Sequence, residues 1–272
     1  MKKLAALDRR WIFLLIALSV AVPMFFPLNL PVEVSSPVKA FYDAVEEVPE
    51  GSVVLMSFDY GPGTKVECHP MAEAALYHFF RRHCRVVAIA LWPEGALFAR
   101  EAFTEIAAEL NLKEGTDFVN LGYKNGGEVI LRGMAEDFRS IYSQDMAGHP
   151  LDTLPLMKDV RGWNSIAMVC DWSMGKPGLL EFVRVVATQY GRPLIAGTTA
   201  VTTPEAYPFL NSGQVQGLLG GLRGAGEYEA LLKRPGSATR GMDAQSAAHF
   251  AVAALIILAN IIYFWEKSRR KK

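Results

Sequence analysis

SVVLMSFDYGPGTKVECHPMAEAALYHFFRRHCRVVAIAL, residues 52–91, reads as one strand–helix–strand unit. Residues 52–58 and 86–91 are short uncharged runs rich in valine, the pattern of strands buried on both faces of a sheet. Between them residues 69–83 are helix-forming, with Pro70 near the position where a first helical turn tolerates proline. Apolar strands alternating with helices predict βαβ units and a parallel sheet.

The alternation continues in both directions. Residues 95–112 place Leu97, Phe98, Ala102, Ile106 and Leu110 on one helical face, and the strand-like run 117–123 follows. Residues 165–170 and 193–196 make two further strands, separated by a helical stretch over 178–190. The whole resembles a doubly wound α/β domain, Rossmann-like or flavodoxin-like, with a mostly parallel sheet of about five strands. That resemblance rests on alternation alone and carries over no functional residue. Residues 126–163 are less regular: a helix is expected over 134–142, then a turn-rich segment, 148–163, as a flap over one end of the sheet.

Charge and hydropathy bound the class. The 272 residues are 51% hydrophobic and 21% charged, with a mean hydropathy of +0.16, which excludes a disordered or fibrous chain. The 28 basic residues balance the 28 acidic ones, but unevenly: the termini (1–10 and 266–272) hold nine basic and two acidic side chains, leaving the interior at −7. An acidic interior argues against a nucleic-acid surface. Residues 11–30 and 247–265 are free of Asp, Glu, Lys and Arg, and each is about the twenty residues that a membrane-crossing helix needs. Lys2, Lys3, Arg9 and Arg10 flank the first, while Lys267, Arg269, Arg270, Lys271 and Lys272 follow the second. They outnumber Lys233, Arg234 and Arg240, which Asp243 partly offsets. By the positive-inside rule both termini are expected in the cytoplasm, with an extracytoplasmic domain over 31–233, a linker over 234–246 and a basic tail over 266–272. No small-x-small cleavage site follows residue 22, so the first segment reads as an uncleaved anchor. Tyr263, Phe264 and Trp265 mark an interfacial aromatic belt.

Chemistry is sought after each strand, because open parallel sheets bind ligands beyond the carboxyl ends of their strands. There stand Asp59, Tyr60 and Thr64, then Asp171 and Ser173, then Thr198 and Thr199. Asp59 and Asp171 together could hold a divalent cation or divide acid and base duties; singly, each could cap a turn or helix. Gly61-Pro62-Gly63 lacks the third glycine of a dinucleotide loop, and no Walker-type phosphate loop occurs, so the cofactor stays unknown. Cys68-His69 and His83-Cys84 lie at opposite ends of the expected helix, too far apart for one zinc ion; no metal site is expected. The three cysteines read as buried thiols without a bridge, with a Cys68–Cys170 pairing across the rim as the alternative. Asp59, His69 and Ser173 make a triad only on paper, since no GxSxG elbow is present.

Residues 213–229 read as a glycine-stepped helix in which Gly213, Gly217, Gly220, Gly221 and Gly224 allow close packing on the sheet or on a partner. Asn260, inside the second apolar segment, is a candidate helix-pairing residue. The expected function is a membrane-anchored, non-catalytic binding or assembly module of a membrane protein complex, partnered by other membrane proteins or by itself. Two alternatives stand beside it: an extracytoplasmic hydrolase using Asp59 and Asp171 with a divalent cation, and a small-ligand sensor.

Overall fold

The computed structural model describes residues 8–28 and 30–270, without the side chains of 266, 269 and 270. Lys2, Lys3, Lys271 and Lys272 of the terminal basic clusters lie outside the described residues, as do the side chains of Arg269 and Arg270. The chain divides into two units, residues 32–238 and the paired terminal segments 1–31 and 239–272.

The 32–238 unit is a six-stranded parallel sheet flanked by helices. In chain order come α2 (Ser36–Glu46), β1 (Val53–Asp59), α3 (Lys65–Arg81), β2 (Arg85–Ala90), α4 (Gly95–Leu110), β3 (Phe118–Tyr123) and α5 (Glu128–Gly133). They are followed by β4 (Met168–Ser173), α6 (Leu179–Phe182), β5 (Leu194–Thr198), α7 (Thr203–Asn211), β6 (Leu218–Gly220) and α8 (Gly221–Leu231). The strand order is β3-β2-β1-β4-β5-β6, so the winding reverses between β1 and β4. Strand alternation sorts the core into two layers. Val54, Met56, Phe58, Ala88, Cys170 and Trp172 face α2, α3, α4 and α8. Leu55, Val87, Val119, Val169 and Ala196 face the other side, covered by α5, α6, α7 and the segment 134–166. Both faces are dry, which is why the strand sequences are continuous apolar runs rather than alternating ones.

Several expectations are corrected. There are six strands, not five: the stretch read as one glycine-stepped helix over 213–229 contains β6 before α8 begins at Gly221. Leu218 and Leu219 bury on opposite faces of the sheet, and β6 pairs with β5 through Ala196↔Leu218, Gly197↔Leu219 and Thr198↔Gly220. Burial of that alternating pair outweighs the helical spacing of the glycines. β4 and β5 extend to Ser173 and Thr198, so Asp171, Ser173 and Thr198 are strand residues, and Asp59 closes β1. α3 starts at Lys65, which puts Pro70 inside it, past its first turn. The helix expected over 134–142 is replaced by α5 and a single 3-10 turn at Phe138–Ser140. The segment 148–163 covers the face of the sheet rather than one end, through Leu151, Leu154, Leu156, Met157 and Trp163. The helix expected over 178–190 is α6 continued by a π-helical run, Val183–Gln189. Cys68, Cys84 and Cys170 are all buried free thiols.

In the terminal unit, α1 (Arg9–Phe25) starts with Asp8 accepting the Arg10 amide at 3.0 Å, and it contains Pro23. α9 (Ser237–Arg270) is unbroken through most of the segment expected to be a linker, 234–246. Its stretch Ser237–Trp265, 29 residues whose most apolar 18 have a mean hydropathy of 2.1, is long and apolar enough to cross a membrane. At 17 residues, α1 spans about 25 Å, short of a hydrocarbon core of about 30 Å. Asp243, 2% exposed, accepts the backbone amides of Leu28 at 2.8 Å and Leu30 at 3.3 Å, so the chain leaving α1 is pinned to the first part of α9.

Candidate functional site

The winding reverses between β1 and β4, and sheets of this kind usually bind ligands beyond the carboxyl ends of the strands at that point. Register decides what faces it. Ser57 pairs with Asp171 and Asp59 with Ser173 across the two strands, and the period of two puts all four on the Leu55 and Val169 face. Asp59 and Asp171 therefore converge at the centre of the sheet, and both are fully buried.

Their surroundings differ. Asp59 accepts the Leu91 amide at 2.6 Å through Oδ1 and the Ser57 hydroxyl at 2.7 Å through Oδ2. Both oxygens of Asp171 lack a hydrogen-bond partner. Two ionised carboxylates have no proton to donate to each other, and one shared proton supplies the missing bond. The electrostatics agree. Burial pushes the Asp59 carboxyl up to about 7, against the lowering effect of its bonds from Ser57 and Leu91. Burial, and then the charge of Asp59, pushes Asp171 well above the usual carboxylate range. The pair thus retains a proton at neutral pH. Over it lies the Tyr142 hydroxyl, buried and without a partner, whose pKa is raised by burial and then by the Asp59 charge. Neither aspartate caps a helix.

Beside the sealed pair, a cleft of about 180 Å³ opens at the ends of β4 and β5. Ser173 and Thr198, neighbours in register, contribute to its wall with Lys176, Thr202 and Glu205, and Leu179 and Phe209 add apolar surface. Ser173 Oγ also accepts the Leu179 amide at 3.2 Å, and Thr198 Oγ1 shares a hydrogen bond with Thr203 Oγ1 at 3.0 Å. Hydroxyls, one ammonium and one carboxylate are the polar side chains on offer there.

The sequence-derived candidates therefore separate. Asp59, Asp171, Ser173 and Thr198 gather at the switch point. Thr199 stabilises the turn into α7, its hydroxyl bonded to Thr202 Oγ1 at 2.9 Å. Tyr60 belongs to the opposite face: it is buried, stacks on Phe98 at 5.2 Å and bonds His69 Nδ1 at 2.7 Å. The paper triad of Asp59, His69 and Ser173 is thereby excluded, because the sheet separates its members. Thr64 bonds the Gly61 carbonyl and Met174 Sδ, both at 3.2 Å.

Of the partner-binding candidates, Gly213 sits in an exposed turn at φ +77° with open space around it. Gly217, Gly220, Gly221 and Gly224 approach Phe41, Thr203, Ala200 and Leu219 within the same unit. Asn260 is exposed and donates to the Ile256 carbonyl of its own helix at 2.9 Å. Sequence reading missed Ser57, Tyr142, Lys176, Thr202 and Glu205. Ser57 was findable, two residues before Asp59 on the same strand face; Tyr142 carries no local signal.

No family model matches the chain, no curated protein matches it, and no solved structure matches it.

Proposed function

We propose that the protein is a membrane-anchored, non-catalytic binding module that takes a small polar ligand, or a partner's polar side chain, in the cleft beyond β4 and β5. The observation that carries this reading is the contrast at the switch point. The acid pair is sealed from solvent and keeps its own proton, whereas the adjoining cleft is open and lined with hydroxyls. Two helical spans would anchor it with both termini in the cytoplasm and the α/β unit outside: α9, and α1, whose 17 residues are the lower limit for a membrane crossing. Support for that hairpin comes from Asp243, which pins the end of α1 to the start of the apolar part of α9, as a hairpin with both basic ends on one side of the membrane would require. The extracytoplasmic placement rests on the charge distribution.

Native mass spectrometry of the full-length protein released in mild detergent tests the reading. A bound species lost when Thr202→Trp fills the cleft supports it. Retention of that species in the variant overturns it. The second reading, a hydrolase using Asp59 and Asp171 with a divalent cation, draws on the partnerless oxygens of Asp171. Cation-dependent turnover of ester or phosphoester substrates, abolished in Asp59→Asn, would establish that reading instead.

A further inference from the structure

On the opposite side of the sheet, the seam between α3 and α4 gathers a second set of ionisable groups. His69 and Glu73 stand one turn apart on α3, and Glu101 and Glu105 one turn apart on α4. The His69 side chain is 8% exposed, and its Nε2 has no hydrogen-bond partner. Around that nitrogen, Glu73 Oε1 lies at 3.2 Å, in a direction that makes no hydrogen bond, and Glu101 Oε1 lies at 3.9 Å. Glu105 is next to Glu73, whose charge raises its pKa. The other ring nitrogen, Nδ1, is tied to Tyr60 OH at 2.7 Å, which fixes the imidazole plane and leaves Nε2 directed at the carboxylates.

We infer that His69 Nε2, Glu73 and Glu101, with Glu105 beside them, form a site for a divalent transition-metal ion such as Zn²⁺. Nitrogen and carboxylate donors about 2.1 Å from a tetrahedral ion stand about 3.4 Å from one another, between the two separations seen here. A buried imidazole whose second nitrogen is held by a polar partner is the usual arrangement of a metal-ligating histidine. One imidazole with several carboxylates suits zinc or manganese better than magnesium or calcium, which favour all-oxygen sites. The four side chains are not closed on one point in this structure. Lys65 Nζ, 2.6 Å from both oxygens of Glu101, holds that carboxylate instead. The other cation near the seam, Arg234, pairs with Glu109 at 2.6 Å. Three carboxylates thus face one committed ammonium, and a divalent ion supplies the missing positive charge while drawing α3 and α4 together.

Isothermal titration of Zn²⁺ into full-length, chelator-stripped protein in detergent tests the site. The expected result is one equivalent bound, weakened at least about tenfold in Glu73→Gln and in Glu101→Gln, and tightened about tenfold in Lys65→Ala, where the competing ammonium is gone. Glu101 is exposed at the helix surface, so its variant should keep the metal-free melting temperature of the parent and report on binding alone. Absence of saturable binding, or binding unchanged in the Glu73→Gln, Glu101→Gln double variant, overturns the inference.

Discussion

At Asp171, burial and the neighbouring Asp59 both oppose a negative charge. A carboxyl whose folded pKa lies above its unfolded value binds its proton more tightly in the fold. Its stabilising contribution is therefore complete below the unfolded pKa and declines as pH rises through the folded one. For Asp59 that decline runs from about 4 up to about 7, and Asp171 extends it to higher pH. Asp171→Asn keeps an N–H donor toward Asp59 and removes one titration. Its melting temperature should exceed the parent's by about 3–6 °C at pH 8 and by much less at pH 5, read by calorimetry. Tyr142→Phe removes a buried hydroxyl that has no partner, so it should leave stability unchanged or raise it by up to about 1 kcal/mol in urea titration. The two aspartates could be singled out from sequence because both follow apolar strand runs. Their convergence could not, because it depends on the Ser57↔Asp171 register across strands more than 100 residues apart. Tyr142 was out of reach altogether, since it belongs to a segment held by tertiary packing rather than by local periodicity.

At the scale of elements, legibility followed length and apolar continuity. β1, β2 and β3 are strands of six or seven residues dominated by apolar side chains and read directly. β6 has three residues between glycines, and helical spacing was the stronger local pattern. Its placement depends on a close approach: a Cβ on Gly217 would stand 2.2 Å from the Cα of Phe41 in α2. Because the obstacle is backbone, Gly217→Ala should cost about 2–3 kcal/mol by urea denaturation, whereas most surface substitutions stay within about 0.5 kcal/mol. The layer over 134–166 shows the same limit from the other side. Trp163 donates to the Leu131 carbonyl at 2.9 Å, and Arg139 to the Met157 and Val160 carbonyls at 2.7 and 2.9 Å. These side chain to backbone bonds replace the regular ladders that sequence periodicity reveals.

For the whole molecule, the proposed α1–α9 hairpin makes a sidedness prediction. In sealed, right-side-out vesicles, externally added protease should digest the 32–238 unit while a C-terminal epitope tag stays protected. Protection of the unit would refute the proposed topology. Asp243→Ala removes the acceptor for two backbone amides and should loosen the hairpin by about 1–3 kcal/mol, seen as faster cleavage near residues 28–30.

The pinning of Leu28 by Asp243 also sets a timetable. The two groups are 215 residues apart in the chain. At synthesis rates of about 5–20 residues per second, roughly 10–40 s elapse between the emergence of α1 and that of its acceptor. In the proposed topology the α/β unit emerges during that interval and begins to fold on a chain attached at one end only. The hairpin closes last, and any translational pause before residue 243 lengthens the time α1 spends alone.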